Sequence, residues 1–140
     1  MTYLFVAHDL AVERHVSDRI AVTYLGAIVE VASAATLHES PAHPYTIALV
    51  SAIRDPEVER RRRAILLEGN SPSPVRPPAG CRFHARCPYV QQTRCRDEVP
   101  RLRRLGDGQA VACHWAEAIM AGEIEPSESV SPGEPDPVAA

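Results

Sequence analysis

The chain has 140 residues, 45% hydrophobic but only 5% aromatic, and a formal net charge of −3. That length admits one modest domain or two small pieces with a core of Val, Ile, Leu and Ala, and the charge gives no bulk attraction to nucleic acid or to an anionic membrane. All 15 basic residues are Arg, which excludes a lysine Schiff base and the phosphate-binding lysine of a P-loop.

In chain order, Thr2–Ala7 (TYLFVA) is a continuous apolar, aromatic and β-branched run. It reads as a buried strand of the kind found in parallel sheets. Met1–Asp9 has no basic region ahead of its apolar stretch and is not a secretory signal. Asp9 is placed to cap a helix over Leu10–Val16. Ile20–Leu25 and Ala27–Val31 flank Gly26 as a hairpin, and Ser33–His38 reads as a short helix. Pro44 sits at a first helical position. Tyr45, Ala48, Leu49, Ala52 and Ile53 follow at helical spacing as one apolar face, and the helix should stop before Asp55-Pro56.

Residues 71–80 hold four Pro and one Gly and read as an extended linker, partly polyproline II. From about residue 121 the chain is rich in Glu, Pro, Ser and Gly, too poor in apolar surface to offset its ordering entropy, so disorder is expected there. Charge follows the same division. Residues 81–115 carry seven Arg against three acids, and residues 116–140 carry six acids and no base. No apolar run approaches the roughly 20 residues that span a bilayer. The domains expected are an α/β part over 1–54, a linker over 55–80, a Cys-rich module over 81–117 and a disordered acidic tail over 118–140.

All four cysteines fall in the third piece, spaced Cys81-x5-Cys87-x7-Cys95-x17-Cys113. Without an export signal they are assigned to a reducing cytosol, as metal ligands or free thiols rather than disulfides. Four thiolates suit tetrahedral zinc or a [4Fe–4S] cubane. The spacing lacks both the CxxC pairs of zinc ribbons and the tight CxxCxxC run of bacterial ferredoxins, so it leaves the two open. Arg82, Arg86, Arg94 and Arg96 lie beside three of the cysteines and would offset an anionic centre. Pro88 fixes the turn after Cys87. The large apolar residues of the module number eight, Phe83, Tyr89, Val90, Val99, Leu102, Leu105, Val111 and Trp115. A core that small holds a fold of about 40 residues only with a staple, so folding is expected to be coupled to metal. Four thiols without metal is the plainer alternative.

Among the histidines, His8 ends the first strand, and residues at the carboxyl ends of parallel strands face the ligand crevice of an α/β sheet. There a His either donates to a phosphate oxygen or satisfies a local backbone group, and one residue alone favours the second. His84 and His114 flank cysteines and read as neighbours of a metal site or surface residues, with substitution for one thiolate in a zinc site as the alternative. His15, His38 and His43 show no partner pattern. The Arg60–Arg63 run is flanked by Glu57, Glu59 and Glu68 without interleaved aromatics, which reads as a solvated face rather than a nucleic-acid site.

Three segments together carry a resemblance. YLFVAHDLAVERHVSDRIAVTYLGAIVE (3–30) resembles the switch-histidine region of ABC transporter ATPases. HPYTIALVSAI (43–53) and SPSPVRPPAGCRFHARCPY (71–89) resemble the following stretch and the C-terminal extension of the dipeptide, oligopeptide and nickel transporter subgroup. The resemblance covers about residues 2–117. It implies that 1–54 is the C-terminal part of a P-loop ABC ATPase domain, with His8 as the switch histidine at the γ-phosphate and attacking water. It implies that Cys81, Cys87, Cys95 and Cys113 hold a [4Fe–4S] cluster, with zinc as the alternative, and that ATP and Mg are bound only in a complete subunit.

The implied partners are membrane-spanning permease subunits, a second ATPase subunit and, indirectly, a solute-binding protein, with the subunit peripheral on the cytoplasmic face of the cell membrane. Permease and binding protein, not this chain, would select the solute. The chain carries no GxxxxGK[ST], no signature segment, and no Mg-binding aspartate strand or catalytic-base Glu ahead of His8. It is therefore expected to be inactive alone, as a truncated product, a misplaced start or a split subunit. The alternatives are a free-standing zinc or iron–sulfur regulatory module and a redox protein.

Overall fold

The computed structural model describes residues 1–53, 65, 67, 69–91, 93–106 and 108–127. Its centre is the expected hairpin, β1 (Arg19–Tyr24) and β2 (Ala27–Ser33). Ile20, Val22 and Tyr24 are buried and their neighbours exposed, the period-two pattern of a strand with one face on a core. Reversing the chain in two residues requires left-handed backbone at both, met by Leu25 (φ 48°) and Gly26 (φ 76°).

Helix α1 (Leu10–Val16) is capped by Asp9, whose carboxylate accepts the Ala11 N–H at 2.9 Å. Helix α2 (Ala34–Glu39) is capped by the Ser33 hydroxyl, which accepts from Thr36 N–H at 3.1 Å. His38 ties the two together, with ring nitrogens 2.8 Å from the Ala34 carbonyl and 3.2 Å from that of Leu10. Helix α3 (Pro44–Ala52) begins at its proline and ends before residue 55. It is wedged between two cores, so no single apolar stripe is buried. Tyr45 and Leu49 touch one core, Ile47 the other, and the most buried positions are Pro44, Thr46 and Ala48.

Two short strands, β3 (Arg103–Arg104) and β4 (Ala110–Val111), complete a four-stranded sheet of order β1-β2-β4-β3, antiparallel throughout. Helices α4 (Arg94–Asp97) and α5 (Ala116–Met120) lie in the cysteine region. The fold is thus a small mixed α/β domain on an antiparallel sheet, not the parallel sheet anticipated. Thr2–Ala7 joins no strand, and Tyr3, Leu4, Phe5 and Val6 are 67%, 94%, 61% and 92% exposed. A strand apolar on both faces needs a layer on each side, and no described element covers these residues. We expect amides 2–7 to exchange without protection while those of β1 and β2 are protected. Strong protection at 2–7 in a monodisperse monomer would contradict this exposure.

The boundary anticipated at residue 81 is bridged. Phe83 inserts into the hairpin core, 5.0 Å edge-on to Tyr24 and 5.3 Å from Tyr45 between ring centroids. The Ala112 N–H bonds the Val29 carbonyl at 2.8 Å beside the β2–β4 pairing. The cysteine region therefore completes the sheet of the first part and shares its core. The tail expected to be disordered from residue 118 is ordered at its start. Ile119 is buried, Ile124 packs on the second core, and Ser127 donates to the Pro88 carbonyl through N–H (2.8 Å) and hydroxyl (3.1 Å). Apolar side chains at 116, 119 and 124 supply the burial that composition alone concealed. Residues 128–140, Asp55-Pro56 and Arg60–Arg63 lie outside the described residues.

Candidate functional site

Cys81, Cys87, Cys95 and Cys113, spread over 33 residues of sequence, line one small internal cavity. Several local devices bring them there. Gly80 allows close approach: its φ is 68°, and a Cβ on it would lie 2.5 Å from the Arg96 carbonyl and 2.7 Å from the Cys95 oxygen. That space lets Cys81 N–H bond the Cys95 carbonyl at 2.9 Å. A 3-10 turn over His84–Arg86 carries the chain from Cys81 to Cys87, and α4 presents Cys95. Cys113 follows β4 at the entry to α5, and Cys87 packs against both cores.

Backbone N–H groups point at three of the sulfurs: those of Phe83 and His84 at Cys81, Tyr89 at Cys87 and Trp115 at Cys113. Such donors favour the thiolate. Burial opposes them and outweighs them. It pushes the Cys81 and Cys87 thiols up and that of Cys113 up to about 12, and the neighbouring cysteines add repulsion. Among the described residues no three His, Cys, Asp or Glu side chains converge on a point where one metal ion could be held.

Three of the four arginines expected to offset the thiolates make other hydrogen bonds. Arg82 donates to the Leu25 carbonyl at the tip of the β1–β2 turn, Arg86 to the Ser71 hydroxyl at 2.9 Å, and Arg94 pairs with Glu98 at 3.1 Å. A cation beside the site is Arg103, which donates to the Cys113 carbonyl at 3.0 Å, pairs with Glu117 and eases the upward shift of the Cys113 thiol. His84 and His114 bond backbone carbonyls, of Cys81 at 2.8 Å and Glu98 at 2.9 Å, and substitute for no thiolate. His8 lies exposed between the apolar segment and α1, apart from the cysteine cavity.

Two further residues at the site escaped the sequence reading. His43, 1% exposed, lines the cavity, and its Nδ1 accepts the Tyr45 N–H at 3.0 Å as the cap of α3. Its place directly before Pro44 was the available signal. Glu30, fully buried, accepts from the N–H groups of Ala42 and His43, each at 2.9 Å, and from the Gln109 amide at 2.8 Å. A charged residue in an apolar strand could have marked it. Burial pulls the His43 pKa down from 6.5 to about 3. The folded state thus holds fewer protons than the unfolded one between these values, and stability falls as pH drops below about 6.5. We expect acid titration to destabilise the chain over that window and His43→Asn to flatten the dependence. Identical pH–stability curves would contradict the assignment.

Residues 29–95 match the model of the oligopeptide/dipeptide transporter C-terminal region. This chain carries the C-terminal region of an oligopeptide/dipeptide ABC transporter ATP-binding protein. The di/tripeptide transport ATP-binding protein DppF of Pseudomonas aeruginosa is 48% identical over 118 residues, covering 84% of this chain and 36% of that protein. The oligopeptide transport ATP-binding protein AppF of Bacillus subtilis is 44% identical over 118 residues, covering 81% and 35%. A Sinorhizobium fredii protein described as a probable peptide ABC transporter ATP-binding protein is 49% identical over 128 residues, covering 91% and 36%. The chain thus spans about a third of the length of the relatives it matches. Among the described residues no helix is long and apolar enough to cross a membrane.

Proposed function

We propose that the chain is the C-terminal part of a subunit that couples ATP hydrolysis to peptide import. The subunit would work at the cytoplasmic face of the membrane, with permease subunits, a second ATPase subunit and, indirectly, a solute-binding protein. The observation that carries this reading is the match over residues 29–95, supported by relatives whose names specify peptide transport and ATP binding.

In that subunit His8 donates a hydrogen bond to the γ-phosphate and orients the attacking water. The phosphate cradle, Mg²⁺ ligands and general base come from sequence not found in these residues. Phosphoryl transfer needs those parts together, so the chain alone has no turnover. The exposed Tyr3–Val6 segment is the stretch that the ATPase sheet would cover.

Cys81, Cys87, Cys95 and Cys113 hold a [4Fe–4S] cluster in this reading. The donor set supports it: four cysteines line one cavity, and backbone N–H groups are directed at three of the sulfurs. A cubane takes one thiolate on each of four irons, so its ligands need not converge as those of one zinc ion must. When bound, the cluster would supply a rigid anionic staple across Cys81–Cys113. The four cysteines hold the surrounding segments in register, and Arg103 balances part of the charge from outside.

The test is His8→Ala in the complete subunit. We expect kcat to fall about 10²-fold or more with ATP affinity nearly unchanged, as for loss of a contact made in the transition state. The 140-residue chain alone should show no magnesium-dependent hydrolysis. Equal losses of turnover and affinity, or activity in the isolated chain, would overturn the reading.

A further inference from the structure

The wall of the cysteine cavity contains donors with no acceptor to meet them. Trp115 lines the cavity, and its indole N–H is buried without a hydrogen-bond partner. His43 lines it too. Its Nδ1 accepts the Tyr45 N–H and its backbone N–H goes to Glu30, which places the ring proton on Nε2 and leaves that group over. Among the described residues no Asp or Glu lines the wall. For Trp115, whose indole nitrogen is fully buried, a donor without an acceptor is costly, and in a native structure it points to an unseen partner.

We propose that Trp115 Nε1–H and His43 Nε2–H are positioning groups for the centre held by Cys81, Cys87, Cys95 and Cys113, hydrogen-bonding its sulfur atoms and favouring its more negative charge state. The inference rests on the iron–sulfur reading above and adds residues that the cysteine pattern does not contain. An N–H directed at sulfur stabilises electron density there, and more so in the lowered dielectric of a largely buried site. Hydrogen bonds to the sulfurs are among the factors that set the potential of such centres. Both donors stand on rigid supports. Trp115 begins α5, and its own backbone N–H already points at Cys113. His43 caps α3 and is fixed by Glu30.

The experiment uses the full chain, loaded anaerobically with iron and sulfide and titrated potentiometrically with an external one-electron reductant. Trp115→Phe keeps the ring and removes the donor. His43→Asn keeps a side-chain oxygen to cap α3 and removes the distal N–H. Each variant should bind as much iron as the parent and take up the electron about tenfold less readily, a fall of about 59 mV for a one-electron couple. Unchanged potentials at full iron content in both variants overturn the donor role while leaving the cysteine assignment standing. A parent chain that takes up no iron, or one zinc without sulfide, overturns the cysteine assignment and the donor role with it. If one variant fails to fold, the other decides the outcome alone.

Discussion

Glu30→Ala is expected to unfold the chain or bring it to the edge of unfolding. Glu30 lies in β2 with no exposed surface, yet its carboxylate is fully engaged by the N–H groups of Ala42 and His43 and by the Gln109 side chain. Those three donors come from the loop before α3 and from the turn between β3 and β4, so one side chain fastens both to the central hairpin. The Gln109 amide also reaches the Ser40 carbonyl at 3.0 Å, closing the network. Hydrogen bonds to a charged group contribute about 1.5–3 kcal/mol each, and they are not additive. Truncation would leave buried donors unanswered, so a loss of about 4 kcal/mol or more is expected against a total of about 5–15 kcal/mol for a domain. Glu30→Gln should fall between, because it keeps the volume and one acceptor oxygen but turns an amide NH₂ toward existing donors. Gln109→Ala should cost least. Urea denaturation of the three variants checks the order; a Glu30→Ala chain within about 1 kcal/mol of the parent would mean that the network does not carry the fold.

How far the sequence led can be judged on particular residues. Local chemistry was readable: Asp9 as a cap, Pro44 as a helix start and the turn at Gly26 all depend on neighbours within four positions. Three longer motifs also led to the transporter family, because their order along the chain is itself information. What the sequence concealed is non-local. Nothing near Phe83 states that it fills the core under Tyr24. The pairing of Ala110–Val111 with β2 joins positions some 80 residues apart. A two-residue strand has no period to detect. Arg82 reads as a charge beside Cys81, yet its guanidinium holds the carbonyl of Leu25, a residue in left-handed backbone that is not glycine. The exposure of Thr2–Ala7 has the opposite origin. Its apolar pattern identifies a strand meant for burial, but a strand forms only where another lies beside it.

Because the cysteine region shares its core with the hairpin, loss of a single thiol should be felt beyond the module. Anaerobic purification should give a brown chain with about four irons, the number a cubane requires. Any one of Cys81→Ser, Cys87→Ser, Cys95→Ser or Cys113→Ser should lower retained iron about tenfold or more, since even partners outside a metal's ligands commonly change affinity by 10–100-fold. Cys87→Ser should have the widest effect, loosening protection in β1 and β2 as well, because Cys87 packs on both cores. Gly80→Ala supplies the companion test with all four sulfurs retained. Its methyl would sit 2.5 Å from the Arg96 carbonyl on a backbone with φ of 68°. The left-handed conformation alone costs a non-glycine residue about 1–3 kcal/mol, and the contact is with backbone that cannot rotate away. Relief requires Cys81 and Cys95 to separate, so iron should be lost as it is from a Cys→Ser variant. Gly106→Ala is the control. It too has positive φ, at 77°, but nothing lies within 4 Å of the added methyl, so it should lose some stability and keep its iron. A Gly80→Ala chain that retains a full complement of iron would show that the approach of Cys81 to Cys95 is not what holds the centre. Iron retained in all four Cys→Ser variants would remove the cysteines from the role altogether.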